Sequence, residues 1–141
     1  MQDEAGHIQA HITRLAAEGA DAARIAEAAA SSWRAVDAAL SPIISQRGVA
    51  ALYKRSLYLT RAAHTALAAV HDGELLLSDY TALQAALAQQ TSLDAAAANG
   101  ALLQAFCDLL THLIGASLTG QLLRSARRNA LSGDAAEDTT L

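Results

Sequence analysis

The sequence predicts an all-α protein: an up-and-down helical bundle of four long helices plus one or two short ones. Three observations predict it. Alanine and leucine dominate, with 36 and 22 residues, and neither loses much side-chain entropy in a helix. The breakers are scarce, one Pro and 8 Gly. Apolar residues recur every three or four positions along most of the chain, the period of a helix that buries one face. Aromatics make up only 4%, so the core is expected to be built from small and branched aliphatic side chains that let helices approach closely.

The first helix is expected over about 3–18, with Ile8, Ile12, Leu15 and Ala16 on one side and Gly19 as its stop. Asp21 caps a second helix that carries Ile25, Ala29, Trp33, Val36 and Leu40. Ser41-Pro42 ends it, because proline disfavours helix at the residue before it. A short turn over 42–45 follows, and a third long helix is expected over about 46–70. Val49, Leu52, Ser56, Leu59, Ala63, Ala66 and Val70 form its seam. His71-Asp72-Gly73 stops it. Leu75-Leu76-Leu77 reads as a hydrophobic plug in a loop. Ser78 or Asp79 opens a fourth helix to about Gln90, and Ser92 caps the last long segment, with Leu102, Leu103, Phe106, Leu109, Leu110 and Leu113 on several of its faces. Asn99-Gly100 is a candidate division of this segment, and Gly115 with Gly120 a candidate bend. Residues 1–131 read as one helical domain. Residues 132–141 lack apolar period and are expected to form a disordered tail. No internal repeat emerges.

Charge is strongly segregated beneath a net −4. Residues 38–71 hold Arg47, Lys54, Arg55 and Arg61 and no acid, whereas 72–123 hold five acids and no base. Arg47, Lys54 and Arg61 are seven apart and so line one edge of the third helix, with Tyr58 beside them. Gly48 sits just inside that helix, where unbonded N–H groups can receive an anion. These five residues, Arg47, Gly48, Lys54, Tyr58 and Arg61, are the expected docking face for an acidic or phosphorylated protein partner. The function expected is a non-enzymatic, signalling-type interaction module. Neutralisation of the stripe by acids of the same bundle, or of a second copy, is the plainer reading.

Nucleic acid is an unpromising partner for a chain with a pI of about 5.6. Residues 26–40 echo a helix-turn-helix reader, but Ala30 and Ser31 stand where a Gly and a buried aliphatic residue belong, and Arg34 would be its one contact to a base or phosphate. No segment is apolar enough for a membrane span, and no targeting segment is visible at the N-terminus, so a cytoplasmic location is expected. The lone Cys107 lies in an apolar run beside Asp108, which fits a core filler and not a reactive thiolate.

Five histidines carry the remaining candidate chemistry. His7 and His11 are four apart, a spacing that can hold a metal, with Glu4 as a further oxygen. Two solvent-facing histidines are the plainer reading, and neither a metal nor a cofactor is expected. His64 is the alternative phospho-acceptor, since four-helix phosphotransfer domains present a helix histidine near a basic residue and Arg61 lies three positions before it. The Lys and Gly those domains carry after the histidine are Leu67 and Ala68 here, so the motif is absent. His71 is expected at a helix C-terminus, and His112 partly buried with one backbone partner. Phosphate-cradling glycine loops, nucleophile elbows and paired carboxylates are missing, so catalysis is not expected. Two further readings remain: an apolar ligand pocket near Trp33 and Phe106, and a homodimer through the last long helix, which is apolar nearly all round.

Overall fold

The computed structural model describes residues 4–73 and 79–139, with side chains over 6–73 and 79–128. The described residues form six α-helices: α1 (Glu4–Ala17), α2 (Ala22–Thr60), α3 (Thr65–Asp72), α4 (Thr81–Ala88), α5 (Ser92–Ile114) and α6 (Ala116–Thr139). No strand occurs among them.

The local signals act where they stand. Gly19, at φ 90°, follows the end of α1. The Asp21 carboxylate accepts the Arg24 N–H at 2.9 Å, satisfying one of the open donors at the start of α2. Thr91 does the same for Asp94 at the start of α5, one residue before the expected cap at Ser92. The Asp79 carboxylate accepts the Thr81 N–H ahead of α4, and that bond holds its pKa below the ordinary value. Leu75, Leu76, Leu77 and Ser78 lie outside the described residues.

Three expected boundaries move. Pro42 does not end the second helix; the chain stays helical through Ile44 and breaks at Ser45, with φ 72° and ψ 161°. Proline removes one helical bond without forcing an immediate stop, and Leu40, fully buried, anchors the turn before it. The third helix stops at Thr60 instead of continuing to Val70. Ser56 and Thr60 turn their hydroxyls back onto the carbonyls of Leu52 and Ser56, bonds that compete with the regular ladder. His64 is then extended at φ −138° and ψ 106°, and α3 starts anew. That turn brings Ala66, Leu67 and Val70 into the core. Finally, α6 continues to Thr139, past the boundary expected at Ser132. Adding one residue to an existing helix fixes little chain for each bond gained.

The Asn99-Gly100 division does not occur, and α5 runs straight through. Asn99 is fully buried; it accepts the Trp33 indole N–H at 2.9 Å and donates to Gln9 at 3.0 Å. Gly100 leaves room for α1, since a Cβ there would meet the Gln9 side chain at 3.1 Å. Gly115 is the bend that does occur, at φ 90° and ψ 157°.

The chain contains a structural repeat where the sequence shows none. Asp21 and Thr91 cap α2 and α5, 70 residues apart. The breaks at Ser45 and Gly115 have the same separation and the same type of dihedrals. Along 21–58, each residue has the burial of the residue 70 positions on, except at 30/100, 31/101, 32/102, 55/125 and 57/127. The short helices correspond with a shift of 71, Ile12 and Ala16 in α1 matching Leu83 and Leu87 in α4, all buried. The two units exchange their short helices: α1 packs chiefly on α5 and α6, whereas α4 packs chiefly on α2. Between 21–58 and 91–128 the identical residues are Ala26/Ala96, Ala28/Ala98, Ala35/Ala105, Leu40/Leu110, Ile44/Ile114 and Leu52/Leu122. All are aliphatic, and in an Ala- and Leu-rich chain such matches are indistinguishable from composition.

Where the units meet, four aromatic rings close the core. Trp33 lies 5.3 Å from Tyr53, 6.0 Å from Tyr80 and 5.1 Å from Phe106 between ring centres. Tyr53 and Tyr80 meet edge to face at 5.0 Å. Each such pair contributes about 0.5–1.5 kcal/mol beyond the area it buries. The wide apolar surface of α5 is thus met within the chain, leaving Leu93 and Leu113 as its exposed large apolar side chains.

Candidate functional site

The second arm of α2, residues 46–60, carries the basic face. Arg47, Lys54, Arg55 and Tyr58 are exposed and Arg61 is half-buried. Among the described residues, no carboxylate comes within 4.0 Å of the four cations. Neutralisation of the ridge by its own bundle is therefore not seen among those residues. Two guanidinium groups flank one ring, with the Arg61 carbon 3.7 Å and the Arg55 carbon 5.1 Å from the centre of Tyr58. The Arg61 guanidinium also donates to the Tyr58 carbonyl. The quadrupole of the ring attracts the cations, and guanidinium sheds water more readily than ammonium does. Held on a ring, the forks lose less freedom when they grip a carboxylate or phosphate. The His71 ring stands 5.8 Å from Tyr58, and its Nδ1 lies 3.3 Å from the Asp72 carboxylate.

Gly48 does not offer the N–H expected of it. Its backbone N–H donates to the Ser45 hydroxyl at 3.2 Å, because Ser45 caps the second arm after the break. Arg55 was not among the expected docking residues, since the seven-residue spacing singled out one edge. A search for cations three residues before Tyr58 as well as after it would have found it, because a helix brings such neighbours together.

His64 is not a helix histidine. It occupies the N-cap position of α3 without a capping side-chain bond. It lines a cavity of about 290 Å³ with Thr65, Gln90, Asp94 and four alanines. The phosphotransfer reading required a histidine presented on a helix face beside Arg61, and Arg61 is instead folded onto Tyr58. His112 keeps its expected backbone partner, the Asp108 carbonyl at 2.8 Å, but is exposed. Cys107 is buried, as a core filler should be.

His7 and His11 do share a place. With Ile8, Arg14, Ser32, Ala126 and Arg127 they line a cleft of about 170 Å³ between α1, α2 and α6. Among the described residues, no three of His, Cys, Asp or Glu are grouped to hold a metal; the Glu4 side chain lies outside those described. Trp33 and Phe106 are both fully buried and meet edge to face, 5.1 Å between ring centres. Residues 26–40 lie within one unbroken helix, so the echo of a helix-turn-helix has no turn. No helix of the described residues is long and apolar enough to cross a membrane.

A buried polar group escaped the sequence reading. Asp37 is 6% exposed and accepts hydrogen bonds from Tyr80 and Ser41, each at 2.7 Å. It ties α4 to α2. Burial, reinforced by the bond to Asp37 and by its charge, pushes the Tyr80 phenol far above its ordinary 10.0. Burial and the charge of Asp79 do the same to Tyr53, whose hydroxyl has no hydrogen-bond partner among the described residues. The signal in the sequence was an acid on the seam of Trp33, Val36 and Leu40.

Comparison with protein-family models, with curated proteins and with solved structures finds no match.

Proposed function

We propose that this protein is a non-enzymatic interaction module whose rigid helical bundle presents the ridge of Arg47, Lys54, Arg55, Tyr58 and Arg61 to a protein segment bearing carboxylates or phosphates. In this reading four long helices, the two arms of α2 on either side of Ser45 with α5 and α6, form an up-and-down scaffold on which the shorter helices pack. The observation that carries it is the exposed Tyr58 ring flanked by two guanidinium groups, on a helix arm with no acid of its own. Leu59, 49% exposed beside it, adds apolar area that such a segment could cover. The phosphotransfer alternative has less support, because His64 sits in the break between α2 and α3.

The test is direct binding of a fluorescent Glu-rich peptide and of its phosphoserine counterpart. The double variant Arg47→Glu/Lys54→Glu should weaken binding about tenfold or more, as expected when charge-assisted contacts turn repulsive, while the melting temperature stays put. Equal binding by the double variant, or none by the native chain, rejects the reading.

A further inference from the structure

We propose that the ridge on α2 also meets a second copy of this chain, whose α5 carries an exposed stripe of the opposite charge; this rests on the ridge being a docking face. On the second arm of α2, Arg47, Ala51, Lys54 and Tyr58 are exposed at steps of four, three and four, and Arg61 continues the row. On α5, Asp94, Ala97, Gln104 and Asp108 are exposed and Ala101 is half-buried, at steps of three, four, three and four. Steps of three and four return to the same side of a helix, so each set forms one row. Arg47 to Arg61 and Asp94 to Asp108 are both 14 positions, about 21 Å of helix. One row is basic at both ends and the other acidic at both ends, so opposite charges meet whichever way the two helices run. Between the ends, Ala97 and Ala101 leave room for the Tyr58 ring and the Lys54 stem. Exposed apolar side chains lie on the same two faces, Tyr58 and Leu59 toward the end of the ridge and Leu93 beside Asp94.

The fold does not ask for these charges. In the matching unit Arg24 and Ala38 stand at the places of Asp94 and Asp108, and Ser117 stands at the place of Arg47. Within one molecule the two rows do not pair, since no carboxylate among the described residues comes within 4.0 Å of the ridge cations. They are neighbours nonetheless: Ala63 and His64, just past the ridge, line one cavity with Asp94 and Ala97. A copy that lays its ridge on the other's stripe therefore brings its own stripe toward the other's ridge, the condition for a two-fold dimer. Two contacts of about 21 Å by about 10 Å cover roughly 800 Å² over both copies, below the roughly 1,200 Å² at which stable complexes begin. The dimer is accordingly weak and sensitive to salt, and an acidic or phosphorylated segment can displace the second copy from the ridge.

Analytical ultracentrifugation of the full chain tests this. At about 50 mM salt and protein up to about 0.5 mM, the mass should rise from the 14.6 kDa of one chain toward twice that, and about 500 mM salt should reverse the rise. Arg47→Glu/Lys54→Glu and Asp94→Lys/Asp108→Lys should each weaken association about tenfold or more, with melting temperatures like the native one. An equimolar mixture of the two should associate, because each supplies the charge that the other lacks. Asp94→Asn/Asp108→Asn, which only removes charge, should weaken association severalfold and serves should the lysine pair disturb folding. A native chain that stays monomeric throughout overturns the proposal, as does a mixture of folded variants that fails to associate. The stripe variant keeps its ridge, so it should bind the Glu-rich peptide at least as tightly as the native chain does. If it does while the native chain is monomeric, self-association falls alone. If the native chain dimerises and the stripe variant binds no peptide, the reading of the ridge as a site for other proteins falls alone.

Discussion

Residues 21–58 and 91–128 bury nearly the same positions with different side chains. The first unit breaks its long helix at Ser45, which strains a non-glycine backbone at φ 72° and uses its hydroxyl to cap the next arm. The second breaks at Gly115, where no side chain is present to strain or to cap. The first holds its interior with Trp33, Asp37 and Tyr53; the second puts Leu103, Cys107 and Leu123 at the matching places. One backbone plan thus tolerates two chemistries. Where they diverge toward polar groups, at Asp37, Tyr53, Ser32 and Arg127, the other unit has Cys107, Leu123, Leu102 and Leu57 at the matching places.

Alkali should expose the largest contrast. Tyr53 and Tyr80 keep their protons in the folded chain well above 10.0. The unfolded chain releases those protons near 10, so above that pH it binds fewer protons than the folded one. Stability then falls as pH rises, by about 1.4 kcal/mol per pH unit for each tyrosine. The matching positions, Leu123 and Gln9, cannot titrate. Tyr53→Leu, which copies Leu123, should roughly halve the slope in urea titrations across alkaline pH. An unchanged slope would show that the phenols are not what separates the units.

The helix breaks should differ next. Gly115→Ala places a side chain at φ 90° and ψ 157°, and it should cost on the order of 1–3 kcal/mol in thermal or denaturant unfolding. Ser45→Gly should change stability by less than about 1 kcal/mol, since relieved strain offsets the lost cap. Equal losses at both sites would mean that the breaks are not equivalent.

The smallest effect is expected at Thr119, buried with a hydroxyl that has no hydrogen-bond partner among the described residues. Val49 occupies the same place in the other unit at 1% exposure. Thr119→Val should therefore stabilise the chain slightly, by up to about 1 kcal/mol, read as a raised denaturation midpoint with an unchanged slope. A loss of stability would place a water or another donor beside that hydroxyl.

Much of the helical layout was legible without coordinates, because its signals are local. The apolar period that predicts the seam of Ile25, Ala29, Trp33, Val36 and Leu40 spans one or two turns. The stop at Gly19, the cap at Asp21 and the bend at Gly115 each need only their own neighbours. The basic ridge was legible for the same reason, apart from Arg55 and the Gly48 N–H. What only the tertiary structure decided joins distant residues. Gln9 meets Asn99, Tyr80 meets Asp37, and Arg127 lines one cleft with His7 and His11. The repeat itself stayed hidden because burial constrains size and polarity at each place, not identity, and many aliphatic side chains satisfy it equally well.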